Sequence, residues 1–489
     1  MLGFVDETFR DGPQSLWATR MRTRSMLGAT EWSNRAGFRK VCVTSGAAVE
    51  TAVRFLHDDP WERVRLLRRF MPDATIDVLV RSRNLFGWER YPDEVIELLF
   101  GVLRRAGVQW LKVFDGLNDI DNIDACFRIG KALGFKMSGM LTFSLSPAHT
   151  DDYFAVKARQ LINSGVDSIT MGDATGLLTG GRTKSLLAAL KKEIGSEVPI
   201  EFLAHHSMGL AHDSYREAML AGVDTVTTAS EPLANGESLP STLDILDIAE
   251  SLNMKTGLDV EAIRRMDDYF HWIAHKEGFP VEKPIVFDPL RYDALAGHQI
   301  PGGMMSNFRK QLHEVGLTHR TDEVLEEAAR VRAELGYPVM VTPFSQFVGV
   351  QATFNVIQGE RYKTIPKELQ LYALGHYGKP ATEIDPNVLD KILQGKADKP
   401  IDASAVFEAR VLDGFRRERG PFRSDEELLL HLFYGKEAVT TLVREKSRLL
   451  ERPSVGQPLQ VLVEELSRQG GLKSLKFEKG PLKLHFDYA

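Results

Sequence analysis

The first run of residues able to do chemistry is Asp6-Glu7-Thr8-Phe9-Arg10-Asp11-Gly12-Pro13-Gln14-Ser15. A guanidinium can grip a carboxylate through two parallel hydrogen bonds, which makes Arg10 a candidate for holding a carboxylate substrate. Asp11 offers the hard oxygens that suit a divalent cation, and Gln14 adds an amide. The same run also suits a capped loop with a local Arg–Asp pair, so taken alone it leaves both readings open. Four further segments carry chemistry-bearing residues: Leu79-Val80-Arg81-Ser82-Arg83-Asn84, followed by Gly87-Trp88 and Tyr91-Pro92-Asp93; Lys112 to Asp119; Pro301-Gly302-Gly303-Met304-Met305-Ser306-Asn307; and Val341-Thr342-Pro343-Phe344-Ser345-Gln346.

The elements that must position these residues follow from periodicity. β-rich runs are predicted at Gly3–Asp6, Lys40–Thr44, Thr75–Val80, Trp110–Phe114, Met137–Phe143, Ser168–Gly172, Ile200–Ala204 and Thr225–Thr228. Between them lie stretches with an apolar stripe and a charged face, such as Glu94–Ala106 and Thr183–Ile194. Eight such units match a (β/α)8 barrel. A doubly wound open sheet is the structural alternative, but no G-x-G-x-x-G follows the first strand. In a barrel, the residues just past the strand C-termini share one rim, which gathers Asp6–Gln14, Thr44–Glu50, Arg81–Trp88, Asp115–Asn118, Gly172–Gly176, His205–Ser207 and Ala229–Ser241. The expected organisation is a barrel over 1–290, a mostly helical domain over 291–455, and a tail over 456–489. Helices are predicted at Gly302–Gly316, Asp322–Leu335, Glu426–Leu432, Glu437–Leu450 and Leu459–Gln469, and a β-hairpin from Leu475 to Phe486 around Gly480-Pro481.

Together, and in order from Gly3 to Leu450, these motifs resemble the carboxyltransferase family that includes pyruvate carboxylase, the oxaloacetate decarboxylase α subunit and transcarboxylase. That resemblance implies a (β/α)8 barrel followed by a mostly helical domain. It also implies exchange of a carboxyl group between carboxybiotin, borne on a carrier, and the methyl carbon of a small keto acid, through an enolate at a divalent metal. By position, Arg10, Gln14 and Arg81 hold the substrate carboxylate and enolate oxygen. Thr342 matches the proton-shuttling threonine, and Ser345 and Gln346 match the biotin-ring pocket. Glu50 and Trp88 stand on the substrate-pocket wall where the family usually has Asp and Tyr.

The metal site departs from the family pattern. Of its expected ligands, Asp11 is present, Gly172 stands where a carboxylated lysine belongs, Leu203 replaces the first histidine, and His205 matches the second. Asp11 and His205 are therefore the candidate ligands for zinc, manganese or cobalt. His206, Asp173 and Asn235 are nearby residues with which they could rebuild a site. Adjacent side chains on an extended strand point to opposite faces, so ligation by both His205 and His206 needs a kink. A histidine ordinarily titrates near neutrality, so His206 is instead a candidate acid or base, with Arg10 and Arg81 supplying positive charge.

The leading expectation is the carboxyltransferase or decarboxylase subunit of a multi-subunit biotin-dependent carboxylase. No Met-Lys-Met attachment site or G-x-x-x-x-G-K-[ST] is present, so a biotin carboxyl carrier protein and a biotin carboxylase are the expected partners, with a homo-oligomer as the expected assembly. The alternatives are a biotin-independent lyase or decarboxylase on the same barrel and a non-catalytic scaffold. Across 489 residues, a net charge of −6 gives no reason to expect nucleic acid. Two cysteines point to a reducing compartment, and the absence of a signal-like start or a long apolar run points to the cytoplasm.

Overall fold

A computed structural model describes residues 1–300, 305, 312–313, 316, 318–393, 407–450, 474–479 and 482–487. Eight parallel strands close into a barrel in chain order: β1 (Gly3–Asp6), β2 (Lys40–Ser45), β3 (Ile76–Arg81), β4 (Trp110–Phe114), β5 (Lys136–Thr142), β6 (Ser168–Asp173), β7 (Ile200–Ala204) and β8 (Thr225–Thr228). These are the strands anticipated from the sequence, each to within a residue or so at either end. Nearly every strand residue is buried, because one face packs on helices and the other fills the barrel. The covering helices are built as the periodicity requires. Asp93–Arg105 opens with Asp93 and Glu94, ends with Arg104 and Arg105, and buries Val95, Ile96, Leu99, Phe100, Val102 and Leu103 on one face.

The barrel axis is charged rather than oily. Lys112 of β4 is fully buried and reaches Glu201 at 2.6 Å, Glu7 at 3.2 Å and Asp77 at 3.7 Å. Lys40 lies 2.6 Å from the other oxygen of Glu201, and Arg10 lies 2.6 Å from Glu7. Three cations thus meet three carboxylates. Burial alone would strip the Lys112 proton, yet Glu201, Glu7 and Asp77 hold its pKa well above the ordinary lysine range. Burial opposes the Glu201 charge as well, but Lys112 and Lys40 bring its pKa down to about 2.

The helical region after the barrel divides between two cores. Helices Thr321–Glu334, Phe344–Gln358, Lys367–Ala373 and Pro386–Leu393 bury Val324, Val331, Phe347, Leu369 and Ile392 in a core of their own, joined by Leu117 of the barrel loops. The segment from Leu412 to Leu442 returns to the barrel core: Phe433 packs edge-on against Tyr91 and Phe86, and the Tyr434 hydroxyl donates to the Phe86 carbonyl at 2.7 Å. The two predicted helices there form Asp425–Leu450, kinked at Gly435, whose φ of 80° lies in the left-handed region. Strands β9 (Ser474–Lys479) and β10 (Leu482–Asp487) pair antiparallel as the predicted hairpin, with Leu482 opposite Lys479. The predicted helices Gly302–Gly316 and Leu459–Gln469 lie largely or wholly outside the described residues. Among the described residues, no helix is long and apolar enough to cross a membrane.

This interior can be tested at two points. Lys112→Met removes the cation shared by Glu201, Glu7 and Asp77, leaving one buried positive charge fewer among them, and is expected to cost about 3–5 kcal/mol in denaturant unfolding. Asp6, sealed outside the barrel against Thr8 and Ser33, has its pKa pushed up to about 7 by burial, against the hydrogen bonds from Thr8. Its contribution to stability is fully present below the unfolded aspartate pKa and is lost as pH rises through about 7. Between pH 5 and pH 8 the wild type should therefore lose on the order of 2 kcal/mol that an Asp6→Asn variant does not, as read from urea midpoints at the two pH values.

Candidate active site

A cavity of about 410 Å³ opens at the C-terminal ends of the strands. Of the residues predicted for the site, Arg10, Asp11, Gln14, Arg81, His205 and Thr342 line it. Arg10 and Asp11 sit at the start of helix Asp11–Leu16, directly after β1, and Gln14 is on its next turn. Arg81 ends β3, His205 follows β7, and Thr342 enters from the second core just before helix Phe344–Gln358.

Each polar group is held in place. Arg10 donates Nε to Glu7 at 2.6 Å and Nη1 to Asp11 at 2.8 Å, so the axial charge cluster sets the guanidinium. Burial would weaken its charge, but Glu7 and Asp11 keep its pKa well above the usual value. Asp11 spends both oxygens: Oδ1 meets Arg10 and lies 3.3 Å from His205 Nε2, while Oδ2 accepts from Ser238 at 3.1 Å and Ser15 at 3.3 Å. Burial disfavours the carboxylate, yet His205 and Arg10 hold it well below the usual range. His205 is shifted upward: burial opposes its charge and Asp11 overrides that. The Ser45 hydroxyl donates to Gln14 Oε1 at 2.8 Å, which leaves the Gln14 NH2 group as the remaining polar end of its amide.

Arg81 is positioned from outside the cavity. Its guanidinium carbon lies 5.3 Å from the Trp88 ring centroid, and its Nε is buried without a hydrogen-bond partner among the described residues. Burial lowers its pKa. Trp88 in turn donates Nε1 to Glu50 at 3.3 Å, and Glu50 also accepts from Arg54 at 3.0 Å. Glu50 and Trp88 are thus not among the cavity-lining residues; they brace the outer side of Arg81. Ser345 and Gln346 lie one turn past Thr342, with Ser345 buried and Gln346 exposed, and Gln346 Nε2 donates to Thr342 Oγ1 at 3.4 Å.

His206 turns away from the cavity, as alternation along an extended chain requires. Its ring lies 4.7 Å from that of His212, and burial, with His212, pulls its pKa down to about 4. The geometry therefore separates His206 from Arg10 and Arg81, beside which the sequence had suggested it as an acid or base. Asp173 is also committed elsewhere: its carboxylate accepts from the Thr175, Gly176 and Leu178 backbone N–H groups and the Thr175 hydroxyl.

The donor set does not fit the family's metal. Among the described residues, no group of three or more His, Cys, Asp or Glu side chains is placed to hold an ion. Where the lysine ligand would stand, the Met140 methyl fills the space that a β-carbon at Gly172 would need. Leu203, the cross-strand neighbour of Gly172, brings an alkyl group where the histidine would be. The lining includes Leu79, Phe114, Met140, Ala174, Leu203 and Val341, apolar residues of which Leu79, Phe114, Leu203 and Val341 fall in or beside the motif segments and Met140 does not. The only signal for Met140 is its inward register on β5.

Similarity to known proteins agrees with this layout. Residues 296–474 match the family model described as conserved carboxylase domain. A pyruvate carboxylase subunit of Methanocaldococcus jannaschii is 36% identical over 97% of this chain and 83% of that relative. The 2-oxoglutarate carboxylase large subunit of Hydrogenobacter thermophilus is 34% identical over 96% of this chain and 72% of that relative. The carboxyl transferase domain of Rhizobium etli pyruvate carboxylase, solved with pyruvate and biocytin, superposes with a TM-score of 0.83 at 26% identity, covering 99% of this chain and 83% of that one.

The donor set leads to a prediction about metal. Protein dialysed after incubation with zinc, manganese or cobalt should carry well under one ion per chain by elemental analysis. A stoichiometric ion lost in the Asp11→Ala, His205→Ala double variant would show instead that other side chains complete the site.

Proposed function

Because the chain belongs to the carboxyltransferase family that contains the pyruvate carboxylase subunit of Methanocaldococcus jannaschii, we propose that it is the carboxyl-transferring subunit of a multi-subunit biotin-dependent carboxylase and acts on a small 2-oxo acid. The observation that carries this reading is the convergence of Arg10, Gln14, Arg81 and Thr342 on one cavity, although they come from separate stretches of the chain. A separate carrier protein brings the biotin and a separate biotin carboxylase loads it; the working assembly is a homo-oligomer of this chain with both, in the cytoplasm.

In this reading Arg81 and Gln14 hold the substrate carboxylate. Arg10, fixed by Glu7 and Asp11, faces the enolate oxygen. A cation already oriented by buried carboxylates needs no reorganisation as negative charge develops, which makes it an effective stabiliser. Thr342 Oγ1 holds the proton that leaves the substrate carbon, since a hydroxyl both accepts and donates. Ser345 and Gln346, on the first turns of helix Phe344–Gln358, offer a hydroxyl and an amide suited to a ureido ring at the cavity edge. Carrier-borne biotin supplies the transferable carboxyl group when it is bound there. No step is assigned to a divalent metal, because Gly172 and Leu203 cannot ligate one.

The same two residues favour a second reading, a decarboxylase or lyase that works without biotin. Turnover in the absence of any biotinylated protein would select it. For the first reading, carboxyl transfer from a carboxylated carrier to a 2-oxo acid is expected with the wild type. Thr342→Ala should lower kcat by about 10²–10³ with little change in substrate binding. Equal transfer by wild type and variant would remove Thr342 from the reaction.

A further inference from the structure

The residues that displace the metal end of the site form a wall. In register, Arg81 of β3 neighbours Phe114 of β4, which neighbours Met140 of β5; Gly172 of β6 neighbours Leu203 of β7. Met140 folds over Gly172, beside the position of Leu203, which itself packs with Ala229, Ala234 and Leu239. Below them Cys42, Leu79 and Met140 pack into a small apolar cluster with Phe114 against it. Met140 and Leu79 keep 8% and 9% of their surface exposed where most barrel residues keep none, as side chains facing a void do. The cavity thus has a cationic side, set by Arg10 and Arg81, and a mainly alkyl side spanning β4 to β7, interrupted on β5 by Thr142, whose buried hydroxyl has no hydrogen-bond partner among the described residues.

Its size matters as much as its lining. At about 410 Å³ it falls in the range of pockets for whole ligands, roughly 300–1,000 Å³, and a three-carbon acid held at the arginines leaves the alkyl side against water. Among the lining residues the cations are Arg10, Arg81 and His205, and His205 is tied to Asp11; the other acid at the cavity is Glu237. The Met140–Leu203 wall therefore offers no cation to a second substrate carboxylate and repels it by desolvation.

We propose that this cavity selects 2-oxo acids bearing an unbranched alkyl chain, with Phe114, Met140 and Leu203 as the residues that set chain length. The inference rests on the 2-oxo-acid reading above and names the substrate class within it. Each methylene buried against the wall strengthens binding about fourfold until the wall is covered.

Isothermal titration of the full chain with pyruvate, 2-oxobutanoate, 2-oxopentanoate, 2-oxohexanoate and 2-oxoglutarate tests this without requiring turnover. The expected result is a Kd falling about fourfold per added methylene, with 2-oxoglutarate at least tenfold weaker than 2-oxopentanoate. In Ala174→Leu, which fills the cavity from a half-buried loop position, the ratio of the pyruvate Kd to the 2-oxohexanoate Kd should collapse at least tenfold. A flat series, tightest binding by pyruvate or 2-oxoglutarate, or an unchanged ratio in Ala174→Leu would overturn the inference while leaving the 2-oxo-acid reading in place. Failure of every acid in the series to bind would overturn both.

Discussion

The interaction on which the site depends is the buried ion cluster around Lys112. Removing charges from water is tolerable only where each finds an opposite partner at short range; Glu7 and Glu201 do this for Lys112, Lys40 and Arg10, while Asp77 lies farther off, without a hydrogen bond among the described residues, and burial raises its pKa. The arrangement couples the barrel to its chemistry. Glu7 is shared between a lysine at the axis and an arginine at the cavity, so closing the barrel and aiming the guanidinium are one event. Strands β1, β2, β3, β4 and β7, or the residues adjoining them, must all be in register before either is achieved.

The same coupling accounts for the residues that remain at the family's ligand positions. Asp11 and His205 remain side by side, and each neutralises the other as an ion pair, with Arg10 on the same carboxylate oxygen. Loss of two ligands has therefore not left an unpaired buried charge. The positive charge that a cation would bring near the substrate is present in Arg10, while the space a carbamate would fill is taken by the Met140 methyl. The departures from the ligand pattern are thus local, a glycine and a leucine, in a pocket that keeps Arg10, Arg81, Gln14 and Thr342 in its lining.

The sequence made the barrel legible because strand and helix periods differ and each unit repeats the alternation. The clustering of Arg10, Gln14, Arg81 and Thr342 could be anticipated from motifs that sit at strand ends or enter from the next domain. What could not be read is of two kinds. The direction in which Trp88 points depends on the path of the loop after β3, which has no period, and Glu50, on the short helix after β2, meets it there; they brace Arg81 and do not line the cavity. Met140, by contrast, is an ordinary core residue whose meaning comes only from facing the cavity and folding over Gly172, and a methionine carries no mark of that, whereas Leu203 was marked by its place at a ligand position. The vicinal pair His205-His206 shows the opposite case, since elementary strand geometry was enough to separate the two rings.

The return of the C-terminal segment to the barrel has a consequence for how the protein is made. The loop after Arg81 is held by groups far along the chain: Arg83 and Arg90 lie against the Phe407 ring, Arg90 donates to the His376 carbonyl, and Tyr434 ties down Phe86. During synthesis all eight barrel strands leave the ribosome about two hundred residues before Tyr434 does. A nascent chain can close its barrel while the loop beyond Arg81 still lacks its clasp, so substrate-holding geometry is acquired last. The clasp on that loop is thus built from residues that emerge well after the barrel strands it steadies.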